Sequence, residues 1–368
     1  MSGLARHGLV ALFVLLTTLS SHARQERRIL GVDWSLSAEL WSSYVDNVVR
    51  LSDADIDRFQ NGDQSFETPL ATYDDWKNEL VFQPRLKFRL PQRQRLDIAY
   101  SFKAALFMRN DFLDYQSHTL NFYLRPASSR YPWLLNFRVF TIPSYYLRRH
   151  YDRDTQAFHA ARFQSWQYRF APRFRFWMPL WIELRGEIET TYYNSKFTEY
   201  DSEMNSLGVR AEYRNSWPMS LALGYLRNRS ENIGYQETGI GGWGLVNLPG
   251  IETEYGDASF DEDEFQVEVS GRIAVIASVP LSGSVDWQLR RRIYTAGRSI
   301  DEDPFHRGRL DLRWKLAPSL TAALTSRVNL TLGYSYEQRT TESDISRVEE
   351  IKSFKVRQIF GAVEYRFE

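Results

Sequence analysis

The sequence predicts an all-β chain, an antiparallel transmembrane β-barrel of about fourteen strands with short turns at one rim and long loops at the other. Three observations predict it. Apolar and polar residues alternate with a period of two along most of the chain, which is the period of a strand and not of a helix. Aromatics make up 15% and charged residues 25% of the 368 residues, a pairing that requires one apolar surface and one wet one. The connections alternate between tight, proline-containing turns and long polar segments, so every second hairpin end is elaborated.

The only long apolar run is Leu9–Leu19, preceded by Arg6 and followed by Ser21, His22 and Ala23. At about eleven residues it is too short to span a bilayer as a helix and has the form of a secretory signal, with cleavage expected after Ala23. The expected organisation is therefore a signal peptide over 1–23 and a single barrel domain over 24–368. Length alone would suggest about two domains, but all-β barrels run longer as one unit. A formal charge of zero gives no support to nucleic-acid binding, and the absence of cysteine excludes disulfides, thiolate metal sites and an N-terminal lipidated cysteine.

The first alternating segment sets Val32, Trp34, Leu36, Ala38 and Leu40 against Asp33, Ser35, Ser37 and Glu39. It starts about nine residues past the expected cleavage point, which leaves no room for an N-terminal plug. Next, Leu80, Phe82, Pro84, Leu86, Phe88 and Leu90 oppose Glu79, Gln83, Arg85, Lys87 and Arg89. After a PQRQ turn, Leu96, Ile98, Tyr100, Phe102, Ala104 and Leu106 continue the habit. Further strands are expected near 117–126, 133–142, 163–176, 180–192, 204–214, 219–228, 264–275, 281–294, 307–316, 327–337 and 352–367. Short turns fall around Pro91, Pro126 to Pro132, Pro179, Pro218, Pro280 and Pro318; long connections fall near 46–75, 109–116, 143–162, 193–203, 229–263, 295–306 and 338–351.

The stretch Arg169–Glu189 shows what such strands require. Phe170, Pro172, Phe174 and Phe176 share one parity and Arg169, Arg173 and Arg175 the other; beyond the WMPLW turn, Ile182, Leu184, Gly186 and Ile188 oppose Glu183, Arg185, Glu187 and Glu189. Hydrocarbon leaves no water for backbone groups, so the sheet must close, with an apolar outside and a polar lumen. Trp177 and Trp181 are expected in an interfacial aromatic girdle. Pro84 and Pro172 fall mid-strand and predict a bulge or local break. A soluble sandwich would have to manage exposed edges and would rarely carry several charges on the second face of strand after strand.

This pattern resembles the monomeric fourteen-stranded outer-membrane porins and transporters of Gram-negative bacteria, a resemblance of architecture over essentially the whole mature chain. The final strand, with Ile359, Gly361, Val363, Tyr365 and Phe367, is similar to the aromatic-ended signal read by the barrel assembly machinery, although it closes on Glu368. The resemblance implies short periplasmic turns, long extracellular loops, and outer-membrane lipid, lipopolysaccharide and that machinery as partners of a monomer. Fatty-acid transporters of similar strand number carry a plug that this chain cannot accommodate.

Motifs for chemistry are weak. Ser52–Asp57 starts like a calcium loop but has Arg58 where glycine is needed and Gln64 for the bidentate glutamate, and is expected to be a solvated acidic loop. Thr238–Gly244 lacks the lysine of a phosphate loop. Outside the signal, His118, His150, His159 and His306 all fall near the long-loop rim; His150 lies close to Asp152 and Asp154, yet no serine stands beside these histidines as a nucleophile. No enzyme activity, metal or cofactor is expected.

Charge is more informative. By parity the lumen holds about twenty Arg or Lys against about thirteen Asp or Glu, while Asp53–Asp75 and Glu252–Glu264 make the loops acidic. Lumen-lining candidates are Arg85, Lys87, Arg89, Arg169, Arg173, Arg175, Glu183, Arg185, Glu187, Glu189, Arg290, Arg292, Arg309, Asp311, Arg313 and Lys315. Across the WMPLW turn, Arg175 is expected opposite Glu183 and Arg169 opposite Glu189. Arg290, Arg292, Arg309, Arg313 and Lys315 should form a basic wall offset only by Asp286 and Asp311. The expected function is passive diffusion of small hydrophilic solutes, with a mild preference for anions or anionic saccharides. The alternative is a blocked barrel that serves as a surface enzyme, adhesin or assembly and export factor.

Overall fold

The structure, a computed structural model, describes residues 28–29, 32–62, 69–91, 94–126, 132–152, 155, 157–214, 219–234 and 256–367. The expected signal over 1–23, the Thr238–Gly244 segment, Pro218 and Glu368 lie outside them. The strands are β1 (Arg28–Ile29), β2 (Val32–Val45), β3 (Asp75–Leu90), β4 (Gln94–Phe107), β5 (Tyr115–Pro126), β6 (Trp133–Asp152), β7 (Ala157–Trp177) and β8 (Leu180–Tyr193). They continue with β9 (Ser202–Arg214), β10 (Met219–Asn232), β11 (Phe260–Ile276), β12 (Val279–Tyr294), β13 (Leu310–Ala323), β14 (Val328–Glu342) and β15 (Phe354–Phe367). Two short helices, α1 (Asp53–Gln60) and α2 (Ser346–Lys352), lie in connections at one rim.

From β2 onward each strand pairs antiparallel with the next, and β15 pairs with β2 to close a fourteen-stranded barrel. Closure removes the free edges that an open sheet would expose. The one stretch β15 does not reach is the start of β2, where it pairs only from Leu36 onward; there β1 folds back onto Val32 and Asp33. Alternation then sorts the faces. Phe170, Phe176 and Leu207 stand on the outside at 51%, 65% and 73% exposure, as a surface meant for lipid does, while their strand neighbours Arg169, Arg175 and Ser206 point inward.

Several boundaries differ from the sequence expectation for identifiable reasons. Most of the expected 143–162 loop is strand: β6 and β7 run to 20 and 21 residues. Irregularities between Ile142 and Tyr145 and between Tyr146 and Arg148 shift the pairing there, so the parity slips and the period-two signal disappears although the ladder continues. Pro318 is not a turn: β13 passes through it, and the chain reverses at 324–327. Pro84, Pro172 and Pro318 each keep one ladder and interrupt the other, with unchanged register on both sides of the gap. A proline lacks only one N–H, so the break is one-sided and no bulge is needed. The turn between β11 and β12 is Ala277–Ser278, both at positive φ (47° and 70°), with Pro280 already inside β12.

Ser52–Asp57 is not an irregular loop. Ser52 Oγ accepts a hydrogen bond from Asp55 N at 3.0 Å and caps α1, Asp55 pairs with Arg58 at 3.4 Å, and Asp53 meets Lys355 at 3.3 Å.

Candidate functional site: the lumen

The register carries Arg85, Lys87 and Arg89 (β3), Arg169, Arg173 and Arg175 (β7), Glu183, Arg185, Glu187 and Glu189 (β8), Arg290 and Arg292 (β12), and Asp311, Arg313 and Lys315 (β13) onto the inner face. Arg309 departs from expectation. It lies just ahead of β13 and is buried, donating to Asp311 at 2.6 Å with its guanidinium 4.5 Å from the Tyr294 ring.

The pairs around the WMPLW turn also change. The two-residue Met178–Pro179 turn and a bulge between Arg175 and Trp177 together move the register, placing Arg173 opposite Glu183 and Arg169 opposite Glu187. Arg169 pairs with Glu187 at 2.6 Å, Arg173 with Glu212 on β9 at 2.7 Å, and Arg185 sits between Glu183 (3.4 Å) and Glu187 (3.6 Å). Glu189 accepts instead from Ser165 and Gln167. Trp181 does not join an outer girdle: it faces the lumen opposite Arg175, and the guanidinium groups of Arg173 and Arg175 each lie 4.9 Å from its ring.

On the wall formed by β10 to β14 the expected basic surplus is cancelled. Arg290 pairs with Glu264 at 3.0 Å, Arg292 with Glu262 at 2.9 Å, and Arg313 with Glu337 at 2.8 Å. Glu262 and Glu264 had been assigned to an acidic loop. Because β11 begins at Phe260, residues 261–264 alternate across the sheet: Glu262 and Glu264 turn into the lumen, and Asp261 and Asp263 turn out to hold Arg227 at 2.7 and 3.0 Å. Asp286 makes no ion pair within 4.0 Å among the described residues, and Lys315 makes none either.

The diametrically opposite wall, β3 to β7, differs. Arg85, Lys87, Arg138 and Arg175 make no ion pair within 4.0 Å among the described residues. Arg85 lies 6.0 Å from the Tyr123 ring and Arg138 lies 5.2 Å from Phe140, so aromatic faces support charges that carboxylates do not neutralise. A cavity of about 630 Å³ runs beside this wall toward β11, lined by Tyr123, Asn136, Arg169, Arg173 and Arg210 among others. Arg138 was missing from the sequence candidates although its parity within β6 already marked it as inward-facing.

The mouth at the helix-bearing rim is narrowed by the connection after β2. Val48, Val49, Leu51 and Phe59 pack on a buried cluster of Leu70, Phe107, Leu113 and Tyr146, two of which come from barrel strands. Asn47 fixes the start of this connection, donating to Leu51 O at 2.8 Å and Lys355 O at 3.0 Å. Arg50, at φ 58°, reaches Glu337 at 3.0 Å and lies 6.0 Å from the Phe354 ring. Desolvation opposes its charge, but Glu337 and Tyr145 outweigh it and hold the guanidinium above its ordinary range. Glu337 belongs to β14, so Arg50 ties the connection after β2 to the wall that carries Arg313. Nothing in the sequence distinguished this arginine from a loop cation.

His306 is buried against Asp303, with Nδ1 2.8 Å from Oδ1, and stabilises the connection before β13. His118 lies on the outer face, 2.7 Å from the Tyr100 hydroxyl. His150 pairs with His159 across β6 and β7; Asp154 and the side chains of His150 and Asp152 lie outside the described residues.

No protein-family model matches the chain, and no curated protein does. Solved structures similar to it include an anion-selective porin from Comamonas acidovorans, at 10% identity over 91% of this chain and 99% of that one, TM-score 0.41. OprD from Pseudomonas aeruginosa is similar at 13% identity over 91% and 95%, TM-score 0.40. OmpT, an outer membrane protein of Vibrio cholerae, is similar at 9% identity over 91% and 99%, TM-score 0.42. Identities this low carry no residue-level correspondence.

Proposed function

We propose that the protein is an outer-membrane channel for passive diffusion of small hydrophilic solutes, with a mild preference for anions. The observation that carries this is the unpaired cation set Arg85, Lys87, Arg138 and Arg175 beside a polar cavity, facing a wall whose arginines are already neutralised. In a narrow lumen such charges are screened less than exposed loop charges, which at physiological salt are screened over about 8 Å. They raise the local anion concentration along the path. The Arg50 bridge limits passage at the mouth without requiring chemistry, and the channel is proposed to catalyse no reaction.

The proposed setting is export through a cleaved signal, insertion by the barrel assembly machinery through the strand ending in Tyr365 and Phe367, and a monomer surrounded by lipid and lipopolysaccharide. Purified protein in planar bilayers should give discrete single-channel steps, and a potassium chloride gradient should give a reversal potential on the anion side. A silent barrel would remove the channel proposal; a cation-side potential would remove the anion preference alone.

A further inference from the structure

One register row crosses β3 to β6 as Arg85, Ala99, Asn121 and Arg138. Two guanidinium groups thus flank an alanine and an asparagine, short side chains that leave space between the charges. In the adjacent row Tyr123 and Asn136 face each other across β5 and β6, and both line the 630 Å³ cavity. Asn136 Nδ2 and Arg138 Nε are buried and have no hydrogen-bond partner among the described residues. Asn136 and Arg138 occupy neighbouring inward positions of one strand, and neither Arg85 nor Arg138 has a carboxylate within 4.0 Å among the described residues, so the row offers its donors to an acceptor-rich ligand.

We propose that this row is a binding site for a hydroxylated carboxylate of the acidic-monosaccharide class, lying within the solute path. The proposal rests on the reading of the lumen as that path. Guanidinium groups match a carboxylate with two parallel N–H donors, which Arg138 and Arg85 can offer from either side. An amide at Asn136, a second at Asn121 and the Tyr123 phenol supply donors and acceptors for ring hydroxyls, which a bare inorganic anion would leave unused. The Tyr123 ring gives the sugar an apolar face to rest on. Passage then becomes saturable, because a solute held at this row must leave before the next can occupy it.

The test is calorimetric titration of the folded, full-length barrel in detergent micelles with galacturonate, galactose and inorganic phosphate. Galacturonate should bind saturably, and galactose and phosphate at least tenfold more weakly. Arg138→Gln and Arg85→Gln should each weaken galacturonate at least tenfold, while Arg357→Gln on the outer face should leave it unchanged; heat-modifiable migration on gels verifies that each variant is folded. Equal binding of galactose, phosphate as tight as galacturonate, or an unaltered Arg138→Gln would overturn the site. Bilayer recordings separate the two claims: conduction without galacturonate binding removes the site and leaves the channel, and binding in a silent barrel does the reverse.

Discussion

The two walls of this lumen carry the same residue types to opposite effect. On β11 to β14, Arg290, Arg292 and Arg313 each meet a glutamate within 3.0 Å. Across the barrel, Arg85, Arg138 and Arg175 rest on aromatic rings with no carboxylate within 4.0 Å among the described residues. The number of arginines on a strand therefore says little about the field it produces; what matters is which residue the neighbouring strand sets opposite. One wall cancels its arginines internally, and the other holds several cations with no carboxylate within 4.0 Å among the described residues.

The most forceful way to break this comparison is to remove the acids. Glu262→Leu, which strips Arg292 of its partner and also loses Asn228, should lower stability by about 3–5 kcal/mol, because the remaining charge is part-buried and uncompensated. Arg138→Gln, with no carboxylate to strand, should change stability by less than about 0.5 kcal/mol. Urea midpoints of the folded barrels in vesicles compare the two, and similar losses would mean that the walls are not energetically distinct.

Next in size is the outer surface of the unpaired wall. Phe170→Arg should cost about 2–4 kcal/mol if it lies at the bilayer midplane, whereas Phe174→Arg, close to the Met178–Pro179 turn, should cost about 0–1 kcal/mol. Arg173→Gln, on the inner face between them, removes one of two arginine partners of Glu212 and leaves it Arg214, and should be milder than Phe170→Arg. The same urea series measures all three, and a larger cost at Phe174 would invert the assignment of depth.

Selectivity sharpens the contrast without large stability changes. Removing whole ion pairs, as in Arg290→Gln with Glu264→Gln, should leave the reversal potential in a potassium chloride gradient nearly unchanged. Neutralising Arg85 and Arg138 together should lower the anion-to-cation permeability ratio about threefold, since these charges act on the solution and not on a neighbour. At the mouth, Arg50→Ala should release the tie to Glu337 and raise single-channel conductance about twofold. At the Ala277–Ser278 turn, replacement by Asn-Gly should stabilise the barrel by about 1 kcal/mol by suiting two positive φ angles, as urea midpoints would show.

Read from the sequence alone, alternation determined the fold class, the number of barrel strands and the inner and outer faces of most of them. That is so because the period of a strand is local: each residue's face follows from its neighbours two positions away, as Phe170, Phe174 and Phe176 against Arg169, Arg173 and Arg175 show. Pairing is not local. The two-residue Met178–Pro179 turn and the bulge between Arg175 and Trp177 together moved Arg169 from Glu189 to Glu187, and the start of β11 at Phe260 turned Glu262 and Glu264 from loop acids into partners of Arg292 and Arg290. Arg50 acquired its role only when the connection after β2 folded back against Phe107 and Tyr146. Which charges are cancelled, which are left without a carboxylate partner among the described residues and how the connection after β2 packs were decided by tertiary structure, because each depends on contacts between residues far apart in the chain.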